Sequence, residues 1–118
     1  MTSDEARLNR LTWQIIKCAM KVHSALGPGL LESAYEECLC FELSRDGIAH
    51  SRQVRLPVVY KDVRLDCGYR MDLVVETQLI VEIKAVERLL PLHDAHMLTY
   101  LRLSRCKVGL LMNFNTVS

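Results

Sequence analysis

The sequence has no surplus of charge of either sign: 15 Lys and Arg stand against 14 Asp and Glu, a formal net charge of +1. This removes the bulk basic signal of a protein that holds nucleic acid over its whole surface, although a local groove can still be basic. The five cysteines (Cys18, Cys38, Cys40, Cys67 and Cys106) are odd in number and lack zinc-type spacing. Cys38 and Cys40 lie two apart on a predicted helix, point in different directions and cannot chelate together. They read as reduced, mostly buried thiols of a cytoplasmic protein. No apolar run is long enough to cross a bilayer, and no signal peptide precedes the first predicted helix. Repeats, linkers and low-complexity stretches are absent too.

What is present is a chain of 118 residues, half of them apolar, with a slightly positive mean hydropathy of +0.10. That length makes one domain, residues 1–118, able to bury a core without disulfides or metal. The hydropathy is high for a small monomer, so some apolar surface is expected to be covered by a second copy in a homo-oligomer.

Periodicity sets the elements. From about Asp4 to Leu26, the residues Leu8, Leu11, Ile15, Cys18, Ala19, Val22 and Leu26 recur at helical spacing. The opposite face carries Arg10, Lys17 and Lys21, which read as a solvated stripe. Gly27-Pro28-Gly29 breaks this helix. A second helix runs from about Leu30 to Asp46 and stops at Gly47. Glu32 sits in its first turn, where the helix dipole favours an acid, yet it aligns with Leu39 and Leu43. Glu36 and Glu37 read as ordinary acids. Strand patterns follow over Gln53–Tyr60, a Lys61-Asp62 turn, Val63–Val75 with a kink near Gly68, and Leu79–Ala85. Pro91 opens a helix over Leu92–Ser104 with Ala95, Leu98 and Leu101 as core candidates, and Lys107–Phe114 is a last apolar strand. The class is α/β with a mixed sheet, in the order α, α, β, β, β, α, β.

Two short segments carry the chemistry: Arg70-Met71-Asp72-Leu73-Val74-Val75 and Ile80-Val81-Glu82-Ile83-Lys84. Strand alternation puts Arg70, Asp72 and Val74 on one face of the first, and Ile80, Glu82 and Lys84 on one face of the second. If Glu76-Thr77-Gln78 is a hairpin loop, Val75 pairs with Leu79 and Asp72 lies opposite Glu82. Facing carboxylates repel unless a cation or a shared proton sits between them. With Lys84 on the same face, the set suits a divalent metal and a water activated beside it. The bland alternative is a solvated face of an antiparallel sheet. Against it, Val74 and Ile80 make the charged face partly apolar, as in a sheet covered on both sides, where unpaired charge is costly. On the last helix, His93, His96 and Tyr100 share a face. A histidine pair at that spacing can ligate a transition metal, and so can serve as a polar helix flank. His23 reads equally as a satisfied interfacial histidine.

The order αβββαβ after an extra N-terminal helix, with an acid on the second core strand and Glu-x-Lys on the third, resembles the PD-(D/E)XK nuclease superfamily. Gly29-Leu30-Leu31-Glu32-Ser33-Ala34-Tyr35 is similar to the signature of the GxxExxY proteins within it. Val22-His23, Leu26-Gly27-Pro28-Gly29, Gly68-Tyr69-Arg70-Met71-Asp72, Val81-Glu82-Ile83-Lys84-Ala85 and Leu111-Met112-Asn113-Phe114 fit the same pattern. The resemblance implies a nuclease that uses Mg2+ or Mn2+ on DNA or RNA. It implies Asp72 and Glu82 as metal-binding acids, the Ile83 carbonyl as a further ligand, and Glu32 as an additional acid that binds metal directly or through water. Lys84 would position or deprotonate the attacking water. Arg70, His96, Tyr100 and His23 would position substrate. The chain departs from the pattern at His96, which stands where related nucleases have glutamine, and at Met71, which stands where the superfamily name has proline.

Two other readings stand beside this one. A nuclease-like fold can be kept as a non-catalytic module that forms a homo-oligomer or binds a partner. A transition-metal site can be built from His23, His93 or His96 with Glu32.

Overall fold

The computed structural model describes residues 1–116. Helix α1 spans Ser3–Leu26, with Thr2 as its N-cap accepting the Glu5 N–H at 3.1 Å. Leu8, Leu11, Ile15, Cys18, Ala19 and Val22 are buried along one stripe. Leu26, expected in that stripe, is 39% exposed. It sits in the last turn, and Gly27 at φ 67° turns the chain away directly after it. Helix α2 spans Glu32–Arg45.

Strands β1 (His50–Arg55), β4 (Arg70–Val75), β5 (Leu79–Lys84) and β6 (Val108–Asn113) form a mixed sheet in the order β1-β4-β5-β6. The first two pairings are antiparallel and β5–β6 is parallel, joined by helix α3 (Pro91–Ser104). Each long strand pattern in the sequence is split in two. Between β1 and β4, strands β2 (Val58–Tyr60) and β3 (Val63–Leu65) pair separately as a projecting hairpin. The first split falls at Leu56-Pro57, where proline has no N–H for a ladder, and the Leu56 N–H turns to the Tyr69 carbonyl at 3.0 Å. The second falls at the Gly68 bend, where the Gly68 N–H donates to Asp66 Oδ1 at 3.0 Å. Lys61 and Asp62 both take positive φ (49° and 66°), as a tight hairpin turn requires.

Helices α1 and α2 bury one face of the sheet, where Leu73, Val75, Val81 and Ile83 meet Ile15, Tyr35 and Leu39. Ile80, Met71, Leu56 and Met97 of α3 make a second cluster. Every residue of β5 from Leu79 to Ile83 is buried, so this strand is covered on both faces. Helix α3 is rotated from the expected orientation. Of the expected core residues Leu101 packs on the second cluster, while Ala95 is exposed and Leu98 is 65% exposed; Met97 is the buried residue. The cause is tertiary: Gly109 of β6 has no side chain, and Met97 packs into the space a Cβ there would occupy. Among the described residues, no helix is long and apolar enough to cross a membrane.

Candidate active site

The hairpin β4–β5 turns through Glu76 and Thr77, both at positive φ, and Gln78 N–H closes the turn on the Val75 carbonyl at 3.1 Å. From there the ladder runs Val75↔Leu79, Val74↔Ile80 and Leu73↔Val81, and then stops. Asp72 and Glu82 follow the end of this ladder, and there the side chains bond the backbone of the facing strand. Glu82 Oε2 accepts the Asp72 N–H at 2.6 Å, and Asp72 Oδ2 accepts the Ile83 N–H at 2.8 Å. Each amide gains a charged acceptor, and each acid has one oxygen held by a backbone N–H.

The remaining charge is poorly compensated. Burial pushes the Glu82 carboxyl up to about 7, partly offset by the Asp72 N–H and reinforced by the Asp72 charge. Burial also raises Asp72, offset in part by the Ile83 N–H, with the Glu36 charge raising it further. Lys84 is half-buried, and its charge favours the ionised form of both acids.

Helix α2 supplies two more acids. Glu32 is exposed, and its Oε2 accepts the Ala85 N–H at 2.9 Å, one residue beyond Lys84. Glu36, which the sequence reading treated as ordinary, is 6% exposed. Its Oε2 takes Arg52 Nη2 at 2.9 Å and Arg52 Nε at 3.2 Å, and its Oε1 takes Gln53 Nε2 at 2.9 Å. Its sequence signal was spacing: Glu36 shares a stripe with Leu39, Cys40 and Leu43, all buried. Tyr35 explains the rest of its motif. Its hydroxyl donates to the Gly27 carbonyl at 2.6 Å and accepts the Leu30 N–H at 3.1 Å, while its ring stacks on Phe114 at 4.7 Å. Phe114 in turn donates its N–H to the Lys84 carbonyl at 2.8 Å. The tyrosine thus ties the Gly-Pro-Gly loop to the end of β5.

Tyr100 of α3 lies in the field of the acids. Burial raises its hydroxyl, and the charges of Glu82 and Asp72 raise it further. Its ring meets Tyr69 edge-on at 6.3 Å. Arg70 and His96 are exposed, and their side chains make no hydrogen bond or ion pair among the described residues. His23 is engaged away from the acids: Nε2 lies 2.8 Å from the Thr116 carbonyl and the ring tilts against Phe114. His93 caps its own helix, with Nδ1 accepting the Leu90 N–H at 2.9 Å. Among the described residues, no three His, Cys, Asp or Glu side chains gather into a metal-holding group. Of the rings considered for a transition-metal site with Glu32, His23 and His93 serve backbone groups. All five cysteines are free, and burial raises Cys18 and Cys40 to about 11, so these two are inert packing thiols.

The donor set fits a hard cation. Asp72, Glu82 and Glu32 each have one oxygen held by a backbone amide and one that is not. The Ile83 N–H points to β4, and in a strand the carbonyl of the same residue points to the same edge. Mg2+ keeps much of its water and needs only one or two carboxylates, so a cage of three side chains is not required.

Residues 9–118 match the family model of the PD-(D/E)XK nuclease superfamily. No curated protein and no solved structure matches the chain.

Proposed function

Because the chain belongs to the PD-(D/E)XK nuclease superfamily, we propose that it is a divalent-metal-dependent nuclease, with residues 1–118 forming one nuclease-like domain. The observation that carries this reading is the end of the β4–β5 ladder at the reciprocally bonded Asp72 and Glu82, with Lys84 two residues on. Asp72, Glu82 and the Ile83 carbonyl would hold Mg2+ or Mn2+, with Glu32 reaching it directly or through water. The bound ion supplies a lowered pKa for the attacking water and offsets charge on the phosphate. Lys84 orients that water and holds or takes its proton, then balances charge on the phosphorane oxygens. Arg70 meets a non-bridging oxygen, while Tyr100 and His96 line the approach of DNA or RNA.

The finer assignment, to the GxxExxY proteins, is also ours. It rests on Gly29, Glu32 and Tyr35 and on the division of labour between the last two: Glu32 bonds the end of β5, and Tyr35 fixes the loop before α2. The test is cleavage of single- and double-stranded DNA and RNA with Mn2+. Activity that disappears in Lys84→Ala is expected; no cleavage of any substrate, or equal cleavage by the variant, refutes the nuclease.

A second reading has its own support. Trp13 and Met20 on the outer face of α1 are each 57% exposed, and Phe41 on α2 is 61% exposed. Apolar surface of this kind favours association, as in a nuclease-fold module that forms a homo-oligomer or binds a partner. Sedimentation velocity at micromolar concentration tests it, and a clean monomer refutes it.

A further inference from the structure

We propose that Gln53 is a positioning residue for the cation site: a neutral amide that ties Asp72 to the buried Glu36 and keeps the Asp72 carboxylate aimed without cancelling its charge. This rests on the metal-dependent reading above. Gln53 lies on β1 directly across from Asp72, between the pairs Arg52↔Leu73 and Val54↔Met71, yet it takes no part in the ladder. Its φ is 50°, a left-handed conformation that costs a residue with a Cβ roughly 1 kcal/mol or more. The register is the same on both sides, so this is one twisted residue and not an inserted one.

The twist has a visible result. Gln53 reaches Glu36 on α2, with Nε2 2.9 Å from Oε1. The second hydrogen of the same amide faces Asp72 Oδ1 at 3.5 Å. That oxygen is the one Ile83 leaves open, so it is the one a cation would use. At 3.5 Å the contact is at the long limit of a hydrogen bond, so it yields readily to a metal. Glu36 cannot swing toward the cation, because Arg52 holds its other oxygen by two donors. The acid therefore serves as an anchor. A lysine or arginine in place of Gln53 would orient Asp72 equally well but would neutralise the charge that attracts a divalent ion. An amide avoids that.

Glycine adopts positive φ freely and has no amide side chain, so Gln53→Gly separates strain from function. The experiment is Mn2+ binding by titration calorimetry together with thermal melting in the absence of metal. For Gln53→Gly we expect a melting temperature within about 3 °C of wild type and Mn2+ affinity lower by roughly tenfold or more, the usual size of an outer-sphere effect. Gln53→Leu, with similar length and no donor, should lose the same affinity and melt below the glycine variant, because it keeps the strain that glycine relieves. Wild-type affinity in both variants overturns this inference alone. A glycine variant that melts well below wild type also overturns it, since the residue is then structural. No Mn2+ binding by the wild-type protein overturns it together with the metal-dependent reading, which separates the two failures.

Discussion

Glu82 binds the backbone of Asp72, and Asp72 binds the backbone beside Glu82. The two bonds, 2.6 and 2.8 Å long, link β4 to β5 beyond the end of their ladder. Each acid is thus fixed by a neutral amide and not by a cation. Lys84, the nearest cation from the same strand, forms no ion pair with either acid among the described residues. The arrangement holds geometry and leaves negative charge unspent, which is the condition a metal site needs before its ion arrives.

That unspent charge has a pH signature. The Glu82 carboxyl moves from an ordinary 4.5 to about 7 on folding. The folded protein then holds a proton that the unfolded chain gives up, so stability falls as pH rises from about 4.5 to about 7. At about 1.4 kcal/mol per pH unit, the loss from this group is on the order of 3 kcal/mol. Chemical denaturation of metal-free protein across that range should show the decline, and Glu82→Gln should flatten it. Mn2+ should bind more tightly as pH rises through about 7, with proton release. A wild type and Glu82→Gln with parallel pH profiles would contradict the buried, undercompensated acid.

Lys84 has no structural bond to lose, since its side chain makes no hydrogen bond or ion pair among the described residues. Lys84→Ala is expected to lower single-turnover cleavage by about 100-fold or more, while shifting the melting temperature by only a few degrees. Loss of activity through unfolding would appear in the melt and would count against a chemical role for the amine.

The acids on the sheet were legible because charge embedded in apolar strands is costly, and costly residues have reasons. Val74 and Ile80, partly or fully buried on the same face, gave the signal that the sheet is covered twice. Glu36 reads as an ordinary acid in the sequence and is buried in the structure, because its partners Arg52 and Gln53 come from a strand sixteen and seventeen residues away. The left-handed turn at Gln53 has no local cause, because glutamine does not favour it. The rotation of α3 is the same kind of case, being set by the fit of Met97 against Gly109 across two elements. Pro57 is a plain sequence clue to the break after β1, since a proline inside a strand marks an edge or an end.

Tyr35 holds the loop before α2 through two bonds from one hydroxyl, to the Gly27 carbonyl and from the Leu30 N–H. Tyr35→Phe keeps the ring stacked on Phe114 and removes both bonds. A destabilisation of about 1–2 kcal/mol is expected, read as a lower urea midpoint with an unchanged slope. An unchanged midpoint would mean that the loop is held by something else.

Gly109 lies on β6 in register with Ile80, and Met97 crosses it so closely that a Cβ would overlap the methionine's Sδ and Cγ. The backbone there has ordinary φ, so the glycine is needed for space and not for conformation. Gly109→Ala should force Met97 off the sheet and cost about 1–3 kcal/mol, toward the lower figure if the flexible thioether finds another rotamer. Met97→Ala alone should also destabilise, by about 2–5 kcal/mol, because it opens a cavity beside Ile80. Combined, the two changes should cost less than their sum, since the alanine methyl at position 109 partly fills the space the methionine leaves. A double-mutant cycle by chemical denaturation measures this directly. Strict additivity would show that the two residues do not meet in solution, and that α3 is seated on the sheet by other contacts.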